Sequence, residues 1–131
     1  TLYYHYSSLC KQNYLKYLKS GNNVTYKKYL YSYRGLINAT WVATKETLPP
    51  INFPETLKKI GEPIPKHIKA KLQEIILLKK QGKEKEITQN ITQMDNHLEN
   101  FLKQPTPFQE KTKKNIETLN KELRKILLKK L

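Results

Sequence analysis

No carboxylate side chain occurs before Glu46, and the whole chain of 131 residues holds one aspartate, Asp95. Metal-dependent phosphoryl transfer needs clustered carboxylates to keep divalent ions close to one reaction centre, so no catalytic residue and no metal ligand set is expected on this chain. Cysteine is equally scarce. Cys10 stands alone, which excludes an internal disulfide, and its helical spacing from Leu2, Tyr6 and Leu9 predicts a buried thiol with a packing role. It is also remote in sequence from the isolated His67 and His97, which leaves a zinc site without support. Of the four glycines, Gly21 is followed by asparagines and Gly35 lies inside a helical pattern, so neither reads as a turn that cradles phosphate. No stretch approaches the roughly 18 apolar residues of a membrane-spanning helix, and no charged start with an apolar stretch marks a signal peptide. The expected location is the cytoplasm or an organelle interior, without secretion and without a membrane partner.

What is present is cationic and aromatic. The formal charge is +14, with 9 basic and 2 acidic residues up to Ile60 and 16 and 9 after it. All nine tyrosines fall between Tyr3 and Tyr33, interleaved with Lys11, Lys16, Lys19, Lys27, Lys28 and Arg34. Such a field favours polyanions, and rings alternating with lysines are the combination that stacks bases and neutralises phosphates.

The apolar periodicity predicts an all-α fold, a bundle of about five or six helices with a proline-rich connector, in one domain spanning residues 1–131. Two basic, tyrosine-rich helices fill residues 1–45. The first covers residues 2–19, with Leu2, Tyr6, Leu9, Cys10, Tyr14, Tyr17 and Leu18 at helical intervals before Gly21. The second covers residues 24–44, with Tyr26, Tyr29, Leu30, Tyr33, Leu36, Ile37 and Trp41 inward and Lys27, Tyr31, Arg34 and Asn38 along another stripe. Residues 46–65 hold the connector, anchored by Ile51 and Phe53, whose prolines impose extended geometry, and a short helix from Glu55 to Ile60. Residues 66–103 read as a helical hairpin, one helix reaching Lys80 and capped at Gly82, the other running from Glu84 to Lys103 with Ile87, Ile91, Met94, Leu98, Phe101 and Leu102 on one face. A last basic helix spans residues 106–131, opened by a capping box at Thr106 and Gln109.

The series His5-Tyr6, Ser8-Leu9, Asn13-Tyr14 and Tyr17-Leu18, then Lys27-Lys28-Tyr29-Leu30-Tyr31, Arg34, Leu36 and Trp41, then Pro49-Pro50 and Phe53, resembles the C-terminal helical half of the predicted nucleotidyltransferases of the DNA polymerase β superfamily, a group that includes the RNA-repair-associated and YcgL-like proteins. The match in order and spacing runs from His5 to Phe53. Beyond it only general features agree, such as the lysine-rich helix before Gly82. The family's catalytic domain carries a glycine-serine phosphate turn and paired aspartates for divalent metal, and this sequence has neither. The resemblance therefore implies a helical portion that does not catalyse alone, with any divalent metal on a separate catalytic domain or subunit and RNA or nucleotide as the partner. By position, it implies that His5, Lys27, Lys28, Tyr31 and Arg34 face the cleft and touch phosphate, base or acceptor RNA. Arg34 leads this set because a guanidinium offers two parallel hydrogen bonds to phosphate oxygens, whereas an ammonium acts as a diffuse charge.

Competing readings accompany each residue. Arg34 also suits an ion pair with Glu46 or Glu55, His5 a packed or capping histidine, and Tyr29, Tyr33 and Trp41 the core. The lysine-rich tail from Lys111 to Lys130 suits a solvated helix face. At the level of function, the alternative is a free-standing basic helical RNA-binding or ribonucleoprotein component that has lost the catalytic domain. A third reading is a helix-rich partner of a two-gene system.

Overall fold

The computed structural model describes residues 1–104 together with Lys121 and Arg124. These residues form five α-helices, α1 (Leu2–Asn13), α2 (Tyr26–Lys45), α3 (Phe53–Ile60), α4 (Lys66–Lys80) and α5 (Thr92–Lys103), with a π-helical segment at Tyr14–Lys19. The described residues are thus all-α, and they contain no strand beyond one isolated antiparallel bridge between Thr25 and Ile87. The expected helix over 106–131 lies outside the described residues.

The first helix starts at Thr1, whose hydroxyl accepts from the Tyr4 N–H, and buries Tyr3 and Cys10. It then passes into the π-helical segment instead of continuing regularly to Lys19. Asn13 Nδ2 donates to the Leu9 carbonyl at 2.9 Å and Ser20 Oγ to the Lys16 carbonyl at 2.8 Å. Side chains that bond back to the carbonyl four residues earlier compete with the backbone ladder, and here they bracket the widened turn. Tyr14 and Leu18 remain buried within it.

The second helix is the axis of the bundle. Thr25 caps its start by accepting from the Lys28 N–H at 3.3 Å, and eleven of its residues are buried. It packs against α1, α3, α4 and α5. The crossing with α1 is unusually close at Gly35, where a Cβ would lie 2.6 Å from both Cys10 N and Tyr6 O. Beside it the Ser32 hydroxyl donates to the Cys10 carbonyl at 3.0 Å, with the Cys10 sulfur 3.6 Å from the same hydroxyl. Cys10 is fully buried, as its spacing predicts, and burial pushes its thiol up from 9.0 to about 11.

After α2 the Trp41 indole donates to Thr47 Oγ1 at 3.1 Å, and Asn52 caps α3 by accepting from the Glu55 N–H at 3.2 Å. Pro54 sits in the first turn of α3, where its missing N–H has no intrahelical partner to lose, so the helix begins two residues before the expected Glu55. Phe53 is buried as expected, together with Leu57 and Ile60. Ile51 is not an anchor, being 106% exposed. The anchoring falls to Thr56, buried, whose hydroxyl donates to the Pro50 carbonyl at 3.2 Å. Ile68, Leu72 and Ile75 bury one face of α4. That helix ends with Gly82 at φ 73° while Lys83 N–H bonds the Leu78 carbonyl and Gly82 N–H the Lys79 carbonyl, the paired bonds of a glycine-terminated helix.

The helix expected from Glu84 to Lys103 starts only at Thr92. Residues 84–91 instead follow the start of α2: the Lys27 N–H donates to the Glu84 carbonyl at 2.7 Å and the Thr88 N–H to the Val24 carbonyl at 2.8 Å. Ile87 is 68% exposed as a result. Long-range backbone bonds here override an apolar spacing that suits a helix.

Three tyrosine hydroxyls then fix α5. Tyr14 donates to Glu99 Oε1 at 2.6 Å, Tyr29 donates to Asp95 Oδ1 at 2.7 Å while accepting from the Ile91 N–H at 2.8 Å, and Tyr33 donates to the Met94 carbonyl at 3.2 Å. Tyr33 also hydrogen-bonds with His97 Nδ1 at 2.9 Å, its ring stacked 5.7 Å from the imidazole. Tyr29→Phe leaves both Asp95 and the Ile91 N–H without this partner, and it is expected to destabilise the fold by about 2 kcal/mol, within the range for orphaned part-buried groups. Urea denaturation followed by circular dichroism measures it, and a change below about 0.5 kcal/mol would mean that water replaces the phenol.

Candidate functional site

The charged stripe predicted on the second helix exists. Lys27, Tyr31, Arg34 and Asn38 are spaced by about one helical turn along α2, and Tyr31, Arg34 and Asn38 line an open groove of about 430 Å³ against Tyr6, Leu9 and Asn13 of α1. Helical spacing predicts an inward Leu9, yet it is 37% exposed and forms a wall of this groove. Tyr31 is also 37% exposed, and Lys27 Nζ lies 5.5 Å from its ring centroid. The groove floor is Gly35, so the close approach of α1 and α2 determines its depth.

Arg34 has the most distinctive setting. Its guanidinium carbon lies 5.9 Å from the Phe53 ring centroid, a cation–π arrangement that restrains the group. Among the described residues its Nε is buried without a hydrogen-bond partner, as is Glu84 Oε2. No carboxylate among the described residues forms an ion pair with it. The ion pairs among the described residues are Lys59 with Glu55 and Lys71 with Glu74, and Lys27, Lys28 and Arg34 enter none.

Lys28 leaves the groove side. Its Nζ donates to the Asn23 carbonyl at 2.8 Å and lies 5.6 Å from the Tyr17 centroid, with Lys16 Nζ 5.2 Å from the same ring. His5 is exposed on α1, its ring 5.5 Å from that of Tyr6, and it does not line the groove. The structure therefore brings Lys27, Tyr31 and Arg34 together and places Lys28 and His5 on flanking surface.

The tyrosine cluster divides in two. Tyr3, Tyr14, Tyr29 and Tyr33 are core, with Trp41, so the core reading of Tyr29, Tyr33 and Trp41 holds. Burial, first of all, raises the phenols of Tyr3, Tyr6, Tyr14, Tyr29 and Tyr33, that of Tyr3 to about 12. Glu99 is held below its ordinary value chiefly by the Tyr14 hydroxyl, and His97 is lowered by burial. Among the described residues no group of three or more His, Cys, Asp and Glu side chains could hold a metal ion, and no helix is long and apolar enough to cross a membrane.

Sequence reasoning missed Gly35, Tyr6 and Leu9 as parts of the groove. The available signal was the series Ser32, Gly35 and Ala39, small residues at helical spacing inside an otherwise bulky helix, which marks where another backbone approaches.

The family model described as the RNA repair pathway DNA polymerase beta family matches residues 1–129. The chain is also similar to the uncharacterized protein YcgL of Bacillus subtilis (strain 168), 25% identical over 126 residues, which cover 95% of this chain and 47% of that relative. It thus spans about half the length of the curated relative it matches. No solved structure matches it.

Proposed function

The chain belongs to the RNA repair pathway DNA polymerase beta family, and from that premise we propose that it is the non-catalytic helical portion of a polymerase-β-type nucleotidyltransferase, one that holds a nucleotide or RNA end for a separate catalytic domain. The observation that carries this reading is Arg34: a guanidinium against Phe53, unpaired with any described carboxylate, beside an open groove. Its fork presents parallel donors to phosphate oxygens, Lys27 adds charge one helical stretch away, and the exposed face of Tyr31 stacks a base between them. Lys28 extends the cationic surface to neighbouring phosphates, and His5 offers a ring nitrogen for hydrogen bonding beside it. On this reading the chain binds and orients, and the divalent metal and the bond-making step that the family implies belong to the separate catalytic domain.

A titration of labelled single-stranded RNA into the full chain at several salt concentrations tests the proposal. Lys28→Ala combined with Arg34→Ala is expected to weaken binding by about ten-fold or more. It should also flatten the dependence of log affinity on log salt by about 1.4, or about 0.7 for each single-strand phosphate no longer neutralised. Equal affinities and equal slopes for variant and wild type would eliminate the proposed site.

A further inference from the structure

Arg34 is held by a ring instead of a carboxylate. Its guanidinium carbon lies 5.9 Å from the Phe53 centroid, while Glu55, an acidic partner its sequence position suits, is paired with Lys59 at 2.7 Å. The difference matters for a side chain that receives an anion. A carboxylate that orients a guanidinium also occupies its N–H groups and cancels its charge. The face of an aromatic ring attracts the cation and leaves the N–H groups in the guanidinium plane unused.

Phe53 is fixed from both sides. It is the first residue of α3, buried in the main core with Leu57 and Ile60. The Asn52 side chain caps the helix just before it, and the Thr56 hydroxyl bonds the Pro50 and Asn52 carbonyls at 3.2 and 3.1 Å. With Trp41 bonded to Thr47 and Arg34 set against Phe53, the connector runs back along α2 and delivers the ring to the guanidinium. The same packing divides the guanidinium itself. Among the described residues Arg34 Nε is buried without a hydrogen-bond partner, a condition neither Nη shares, and Arg34 lines the open groove. A guanidinium grips phosphate with two parallel bonds either through its two Nη groups or through Nε and one Nη. With Nε sealed from solvent, the first way is the one left open.

We propose that Phe53 is a positioning residue for the phosphate site, a role that rests on the groove being the RNA site proposed for it. The ring holds the Arg34 guanidinium and shelters its Nε, so the Nη pair is what the groove presents to a phosphate. Phe53 itself touches no ligand.

The chain has two arginines, Arg34 and the exposed Arg124. A proton–nitrogen correlation spectrum of the full chain therefore shows an Nε–H resonance for each, which Arg34→Lys assigns. The Arg34 Nε–H is expected to exchange with water about ten-fold or more slowly than that of Arg124, as a sheltered N–H does. Phe53→Leu should shift the Arg34 resonance by removing the ring current and leave that of Arg124 in place, whereas Phe53→Tyr, which keeps the ring face, should retain the slow exchange. Phe53→Met serves in place of the leucine variant if that variant loses its helical circular dichroism. In titrations with labelled single-stranded RNA, Phe53→Leu is expected to weaken binding by about five-fold, the equivalent of roughly 1 kcal/mol for one cation–π contact. Phe53→Tyr should bind as the wild type does. The loss should vanish in an Arg34→Ala background, because an effect transmitted through Arg34 is not additive with its removal. Equal exchange at the two arginines, an Arg34 resonance indifferent to Phe53→Leu, or an equal loss of affinity in both backgrounds would each overturn the positioning role. RNA binding that ignores Arg34→Ala would instead remove the groove as the RNA site, and the phosphate role of Phe53 with it, while the two resonances still report whether the ring holds the guanidinium.

Discussion

Replacing Gly35 by alanine is expected to destabilise the protein by about 2 kcal/mol or more, the cost of overpacking a filled interior, and to lower the melting temperature by roughly 8 °C for a domain of this size. Helix propensity alone predicts the opposite, a gain of about 1 kcal/mol for glycine to alanine inside a helix. The sign of the change is therefore diagnostic. A methyl group at Gly35 meets Cys10 N and Tyr6 O at 2.6 Å and Cys10 Cα at 2.9 Å, and all three belong to backbone that no rotamer change can move. Relief requires α1 to lift from α2, which also stretches the Ser32 hydroxyl bond to the Cys10 carbonyl. Because the same glycine floors the Arg34 groove, the variant should bind RNA more weakly even when cooled to a temperature where it is fully folded. Thermal and urea denaturation measure the first effect. A stabilised Gly35→Ala protein would show that the two helices do not cross this closely.

Alkaline pH should unfold the protein cooperatively. The phenols of Tyr3, Tyr6, Tyr14, Tyr29 and Tyr33 and the thiol of Cys10 are all raised, mainly because burial disfavours their anions. A group whose folded-state pKa exceeds its unfolded value holds its proton more tightly when folded, so its contribution is complete below the unfolded pKa and is lost as pH climbs toward the folded one. For Cys10 that window runs from 9.0 to about 11 and for Tyr3 from 10.0 to about 12. Helical circular dichroism is expected to hold up to the start of this range and collapse within it. Tyrosinate absorbance from the buried rings should appear together with the loss of helix. Ionisation of those rings in a chain that keeps its full helical signal would contradict their burial.

The helices up to residue 80 were legible because their apolar residues recur at helical spacing and the breaks between them carry strong local signals, the prolines after residue 48 and Gly82 at a helix stop. The charged stripe was legible for the same reason, since Lys27, Tyr31 and Arg34 follow one helical face whatever they pack against. What escaped was set by partners distant in sequence. Residues 84–91 carry an apolar spacing compatible with helix, but the Val24 and Glu84 carbonyls and the Tyr29 hydroxyl satisfy their backbone and that of α2 in another way. Ile51 looked like an anchor because it is apolar, whereas the anchoring is done by the Thr56 hydroxyl, inside the helix that follows. The groove itself depends on how closely two helices cross. That distance is decided by one missing Cβ, a quantity that periodicity does not register.

The tyrosine bonds to α5 carry a mechanical consequence. Tyr14, Tyr29 and Tyr33 meet Glu99, Asp95 and Met94 respectively, three acceptors spread along one short stretch of the helix. Grease between smooth helices tolerates sliding; pins in a keyway do not. A shift of α5 by a single residue would disengage all three phenols at once, so this helix occupies one register or detaches altogether.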